Sequence, residues 1–455
     1  MVLNQKKMSG LTTGSKIRKF FEQNVISRLE NWQEQLFKGD LYSFETELCA
    51  QLSALHDEVC EVVLPAAADQ VYEKLAAKAK EDGCRKIIAR PVQIRLSTGS
   101  YIEVDSPYTK VPAAGYQEKR HLLAGHWSLI GSASPALYDK VGFCAALGPS
   151  YDTAHQALTK FGVQIGLSSV REISNRLAQR CHAAGEAELS TKSGESLAGK
   201  RVVIALDGGR TRIRQNSGTY TNKGYEQYDT AWCEPKLFVI DVLDEEGQLD
   251  RAELPIYGCR FDQEHLFDLL ESYLTKLKIK DAEYVQLLGD GASWIWNNVP
   301  ALLRRMGVAE DKIIETLDAY HGTGYVHKLV EMMNSRVSEK EKPNLLKKFL
   351  NWFWDGQAGK VAQSCRKIFK YSNELTDRYM AYLEKHEKRM QYADYKAGNL
   401  MCGSGIIESG VRRIINLRFK NTSAFWDKPA VEKLYFLRAA LLSKRWDTVI
   451  QNLAR

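Results

Sequence analysis

Two apolar runs that each end in aspartate and glycine constrain this chain most. The first is Val202-Val203-Ile204-Ala205-Leu206, closed by Asp207 and Gly208-Gly209; the second is Val285-Gln286-Leu287-Leu288-Gly289, closed by Asp290 and Gly291. Runs this short, rich in branched aliphatics and bounded by turn-forming residues, read as buried strands. An acid at a strand's end can project over the sheet edge while the strand itself stays inside. A third acid, Glu408, lies in the helix-like segment Gly405-Ile406-Ile407-Glu408-Ser409-Gly410-Val411-Arg412-Arg413.

Around these runs the order of elements is α/β. A strand at 201–206 leads to a second at Arg210-Thr211-Arg212-Ile213-Arg214 and a third at 236–243. A helix at 262–278, a strand at 284–289, a helix at about 294–306 and a strand at 313–318 follow. Three strands, then helix, strand, helix, strand is the order of a ribonuclease-H-like mixed sheet. Residues 321–397 are helical in pattern and separate Asp290 from Glu408, which predicts an all-α insertion within a catalytic domain formed by 197–320 and 398–455.

The region before 197 divides further. Residues 1–83 read as helical, with Ile17, Phe20, Phe21, Val25, Ile26 and Leu29 at three- and four-residue steps. Residues 84–134 form a small β-rich region, with Thr98-Gly99-Ser100 as a hairpin turn. Residues 135–190 contain a helix capped by Ser150, a break at 161–166 and a second helix from Ser168 or Ser169, the pattern of a helix-turn-helix. That second helix carries Arg171, Asn175 and Arg176, candidates for DNA contact, although two packed short helices occur in many globular proteins. Residues 185–199, rich in Ser, Lys, Gly and Glu, read as a linker.

The chain has 455 residues, enough for several domains, and its charged share of 26% is that of a soluble globular protein. No apolar stretch reaches the ~18 residues of a membrane span, and no apolar segment of a secretory signal follows the basic N-terminus, so a cytoplasmic protein without a membrane partner is expected. Nine cysteines without a C-x-x-C pair exclude a zinc ribbon of ordinary spacing. The net charge of +7 is uneven: residues 401–455 hold ten basic side chains against four acidic ones. A basic end beside an acid cluster points to a polyanionic substrate.

Hard carboxylate oxygens suit Mg²⁺, which keeps open positions for water and phosphate. Two such ions roughly 4 Å apart can stabilise both the entering and the leaving oxygen of a phosphoryl displacement. Asp-Gly after a strand is also an ordinary turn, so no one of these acids carries the reading alone. Their occurrence in order, on two strand ends and a helix, favours Asp207, Asp290 and Glu408 as catalytic and metal-holding residues. Asp318 and His321, three residues apart, form a local pair in which the carboxylate orients the imidazole beside the site. Arg412 and Arg413, one turn beyond Glu408, are placed to meet phosphates. Trp426 is assigned to the core rather than to base stacking.

In five segments the chain resembles the ISKra-type transposases of bacterial insertion sequences, relatives of the Mutator-like group. They are "ALDGGRTRIR", "LLGDGASWIWNNVPALL", "LDAYHGTGYVHKL", "GSGIIESGVRRIINLRFK" and "LRAALLSKRWD", in that order over residues 200–450. The resemblance implies a ribonuclease-H-like DDE domain with a helical insertion, its acids on Asp207, Asp290 and Glu408 and its Asp-x-x-His marker on Asp318 and His321. It implies Mg²⁺, replaceable by Mn²⁺, and a homo-oligomer acting on terminal inverted repeats and target DNA, nucleoid-associated when active. Arg210 and Lys420 join the DNA-binding candidates. Two departures stand out. Cys84 alone remains where relatives carry a zinc ribbon, so zinc is not expected, and Ser423-Ala424-Phe425-Trp426 replaces a segment close to Gly-Met-Arg-Trp. The expected function is cutting of element ends and joining of the 3′-hydroxyl to target DNA. The rival readings are a catalytically silent DNA-binding regulator and a nuclease without strand transfer.

Overall fold

The computed structural model describes residues 14–113, 116–333, 337–369, 373–420 and 425–454. Ser423 and Ala424 of the divergent stretch therefore lie outside the described residues, as do the basic residues before position 14. The chain is a mixed α/β protein in two units, residues 1–181 with 450–455 and residues 182–449.

In the first unit a helix over 14–24 precedes α1 (Leu29–Phe37) and the long α2 (Leu41–Glu81). Asp40 caps α2 by accepting from the Ser43 amide. Strands β1 (Ile87–Arg95), β2 (Tyr101–Ala113) and β3 (Tyr116–His121) form an antiparallel sheet in that order. The Thr98-Gly99-Ser100 turn joins the first two. Gly99 has φ +97°, and a Cβ there would stand 2.1 Å from the Gln164 carbonyl oxygen, so glycine is required. Ala68 of α2 packs on Val92, Ile94, Ile102 and Val104, with Leu123 of the short α3 (Leu122–His126) closing the cluster. Helices α4 (Pro135–Leu147), α5 (Tyr151–Lys160) and α6 (Leu167–Ala184) follow, with Ser150 accepting from the Thr153 amide at the start of α5.

The second unit is built on a five-stranded sheet of order β10-β9-β4-β7-β8. Its strands are β4 (Arg201–Gly208), β7 (Lys236–Leu243), β8 (Ile256–Arg260), β9 (Tyr284–Gly289) and β10 (Ile313–Leu317). Strand β7 runs antiparallel to β4 and β8, whereas β4, β9 and β10 are mutually parallel. One face packs Val202, Ile204, Leu206, Phe238 and Leu287 against Leu266, Leu270 and Leu274 of α8 (Gln263–Lys276), the crossover from β8 to β9. The crossover to β10 is two short helices, α9 (Ser293–Trp296) and α10 (Val299–Arg305), where one had been expected. Pro300 suits the first turn of α10, where its missing N–H costs nothing.

Two strand expectations need correction. Residues 210–214 do not join the main sheet. They lead into β5 (Thr211–Tyr220), which pairs with β6 (Glu226–Cys233) as a mostly exposed two-stranded ribbon and bridges to Trp426 through Ile213. The third antiparallel strand of the sheet is instead β8, whose run Ile256-Tyr257-Gly258-Cys259-Arg260 ends in a charge that disguises a fully buried strand. The linker expected at 185–199 is likewise mostly folded in. Helix α7 (Glu186–Ser190) is buried, Glu186 pairs with buried Arg260 at 2.7 Å, and Glu195 pairs with buried Arg445 at 2.5 Å. Polar composition read as solvent exposure, but here the acids are counter-ions for interior arginines.

The helical block comprises α11 (Ala319–Glu331), α12 (Lys342–Trp354), α13 (Ala358–Ile368), α14 (Glu374–His386) and α15 (Tyr392–Ala397). It has its own core of Val326, Leu329, Phe349, Phe353, Met380, Leu383 and Tyr392. Tyr392 donates its hydroxyl to the Leu317 carbonyl and Tyr395 donates to the Glu315 carbonyl, tying the block to β10. After it come α16 (Gly405–Gly410), a π-helical turn at Val411–Asn416, α17 (Leu417–Phe419), α18 (Lys428–Leu442) and α19 (Trp446–Ala454). No helix among the described residues is long and apolar enough to cross a membrane.

Candidate active site

Parallel pairing sets the site. Leu206 of β4 is in register with Gly289 of β9, and Gly289 with Leu317 of β10. The next residue on each strand is an aspartate, so Asp207, Asp290 and Asp318 form a row at the carboxyl edge, with neighbouring strands about 4.8 Å apart. Helix α16, bearing Glu408, packs over β4 and β7. Gly410 permits this approach, because a Cβ there would stand 3.0 Å from both Leu237 and Tyr257.

The members of the row differ in their bonding. Asp207 accepts from the Gly208 amide at 2.7 Å, and Asp290 accepts from the Ala292 amide at 2.8 Å. Trp296 fixes the Asp290 backbone by donating Nε1–H to its carbonyl at 2.6 Å. Asp318 is fully buried and both of its oxygens are engaged. Oδ1 accepts from the amides of Tyr320 and Ser404, each at 3.2 Å, and Oδ2 meets His321 Nδ1 at 2.5 Å. Asp318 is thus a positioning residue, holding His321 on one side and the N-terminal end of the Glu408 helix on the other.

Charge follows from this bonding. Burial pushes the Asp207 carboxyl up to about 6; the Gly208 N–H opposes the shift, Asp290 and Glu408 add to it, and His321 counters them. The Asp318 hydrogen bond raises His321 despite partial burial, and the charges of Asp318, Asp290 and Asp207 act in the same direction. Burial alone would lift Asp318, but the bonds from His321 and the Tyr320 and Ser404 amides hold it below the usual carboxylate range. The edge is therefore an acidic cluster whose carboxylates favour the protonated form of one imidazole, His321.

The donors suit a hard divalent cation: oxygen ligands, partly desolvated and mutually repelling. Their present spacing is looser than a closed site. Among the described residues no three His, Cys, Asp or Glu side chains stand together closely enough to grip an ion. Glu408 is exposed on its helix, and among the described residues no hydrogen bond fixes its side chain.

The other candidates are spread out. Arg210 and Arg412 are exposed, as is Lys420. Arg413 is drawn inward, donating to the Tyr257 hydroxyl at 2.9 Å. Three further arginines of the basic C-terminal stretch, Arg418, Arg438 and Arg445, are buried, so its outward charge is thinner than composition implies. In the first unit, Arg171 lies over the Tyr151 ring at 5.9 Å, Asn175 accepts from the Tyr151 hydroxyl at 2.8 Å, and Arg176 pairs with Glu172 at 2.7 Å. These side chains hold α6 to α5 and to itself, while Arg171 and Arg176 remain exposed. Trp426 is buried and packs edge-on to Phe419.

Gln286 was missed in the sequence. Buried in the middle of β9, it donates to the Met401 carbonyl at 2.7 Å and accepts from the Met401 amide at 3.0 Å. With Asp318 it fastens the segment before α16 to the sheet, which is how an acid so distant in the chain returns to the edge. Its signal was visible: an amide inside an apolar strand must find partners.

No protein-family model and no curated protein matches the chain. Among solved structures it is similar to the Drosophila P element transposase strand transfer complex, at 12% identity over 71% of this chain and 81% of that one. The TM-score of 0.25 leaves that likeness without weight for fold or function.

Proposed function

We propose that the second unit is a ribonuclease-H-like DDE domain that cuts DNA and transfers the freed strand, the activity of a transposase. The observation that carries this reading is the register of Asp207 and Asp290 at the carboxyl ends of adjacent parallel strands, with the charge of Glu408 felt at Asp207. The sheet order, the helical block between Asp290 and Glu408, and the five sequence segments resembling ISKra-type transposases support it. Asp207, Asp290 and Glu408 would hold Mg²⁺ or Mn²⁺, which when bound supplies an activated water and neutralises charge on the scissile phosphate.

The chain's own groups do the rest. Asp318 orients His321 through Nδ1, leaving Nε2 to hold a proton toward a phosphate oxygen or the departing 3′-oxygen. Gln286 and Asp318 keep α16 at the edge. Hydrolysis forms a bond from water oxygen to phosphorus and breaks the P–O3′ bond, leaving a 5′-phosphate and a 3′-hydroxyl. Transfer forms a bond from that 3′-oxygen to a target phosphorus and breaks the target's P–O3′ bond, releasing the target's own 3′-hydroxyl. Arg210, Arg412 and Lys420 face outward for backbone phosphates, and the α5–α6 pair is the candidate for reading duplex DNA. A homo-oligomer follows from the need to bring two ends together.

The test is Asp290→Asn, assayed on DNA carrying candidate ends with Mg²⁺. A folded protein that binds DNA but no longer cuts is expected; undiminished cutting removes Asp290 from the chemistry. Joining of a pre-cut 3′ end to a plasmid by the native protein separates a transposase from a simple nuclease.

A further inference from the structure

On its far side Asp290 borders a cavity of about 450 Å³ whose opposite wall is α14. Arg378, Ala381, Tyr382 and Lys385 line it at positions i, i+3, i+4 and i+7, a single stripe of that helix. Ala381 leaves space between the two cations. The Tyr382 ring lies 4.3 Å from that of Tyr325 and gives the cavity an aromatic wall. Gly291 faces this wall, and a Cβ there would stand 2.1 Å from the Tyr382 ring, so the loop after Asp290 and the stripe are fitted to each other.

The two cations are exposed, and among the described residues neither is drawn into an ion pair. Among the described residues neither pairs with Asp290, although they share its cavity. Seven residues of helix separate them by about 10 Å. Unspent cations flanking an aromatic wall suit a strand whose phosphates lie on either side of a base.

We propose that this cavity seats one nucleotide of a DNA strand next to the phosphodiester at Asp290, with its phosphates on Arg378 and Lys385 and its base against Tyr382. The inference rests on the nuclease reading of Asp290 and names a part of the substrate that this reading leaves open. A single strand rather than a duplex is seated, because a base stacked within a duplex has no free face to lay against Tyr382.

The experiment compares the native chain with an Arg378→Ala/Lys385→Ala variant binding fluorescent single-stranded oligothymidylate in metal-free buffer over a range of salt. Both side chains are exposed, so the fold should be retained, and a thermal melt checks it. Expected are at least tenfold weaker binding and a log–log salt slope shallower by about 1.4, the share of two phosphates at roughly 0.7 each. Unchanged affinity and slope would overturn the proposal. So would thymidine monophosphate competing as well as the oligonucleotide, which would give the cavity to a free nucleotide. Asp290→Asn separates the two readings by its cutting alone: if it still cuts DNA, the nuclease reading fails, whatever the double variant shows.

Discussion

At the residue scale the site turns on one carboxylate, Asp207, held where its charge is disfavoured. Asp207 is forced toward neutrality by burial and by Asp290 and Glu408, so its folded pKa of about 6 lies above the unfolded value. A carboxyl raised in this way costs stability where it is ionised. The penalty is fully present above about pH 6 and vanishes below about pH 4, where both states are protonated. Asp207→Asn should therefore stabilise the protein at neutral pH by about 1–3 kcal/mol while abolishing cutting. Denaturant melts at neutral and acid pH check this: the gain must shrink as pH falls, and a pH-independent gain would mean that charge is not its source. Mg²⁺ should raise the native melting temperature at neutral pH and do so less as the carboxyls protonate.

At the element scale the decisive piece is the 401–404 segment, which hangs from Gln286 and Asp318. Gln286→Leu keeps the apolar strand but orphans the Met401 N–H and C=O. Loss of about 2–3 kcal/mol is expected, since each buried group left unpaired costs about 1–3 kcal/mol. Cutting should fall far more than stability, and amide exchange at 401–404 should quicken while that of β4 and β9 does not. If exchange there is unchanged, the Gln286 bonds are not what holds the Glu408 helix. The β5–β6 ribbon belongs to this scale too. Arg212 sits over Phe425 at 5.0 Å and Arg214 over Tyr228 at 4.0 Å, cation–aromatic pairs that stiffen an otherwise exposed hairpin.

At the scale of the whole molecule, the net charge is +7 despite the acidic edge. DNA affinity should then be dominated by phosphate neutralisation. If about four phosphates are engaged, binding weakens about 100-fold over a fourfold rise in salt, which anisotropy titrations would read directly. A nearly flat salt response would contradict a polyanionic substrate. Burial of Arg418, Arg438 and Arg445 already limits how much of the C-terminal charge contributes.

The sequence by itself determined the two Asp-terminated strands, the parallel crossovers between 262 and 317, the helical block and the pairing of Asp318 with His321. Each of these rests on short-range periodicity, burial or capping, which neighbouring residues reveal. It misassigned β5, passed over β8 and took 185–199 for a linker, because sheet membership and the burial of Glu186 and Glu195 depend on partners far away in the chain. Only the tertiary structure decided that Asp207, Asp290 and Asp318 share one register, that Gln286 recovers the 401–404 segment, and that α14 faces Asp290 across a cavity. Register and cross-chain hydrogen bonds are set by packing of whole elements, and no local pattern encodes them.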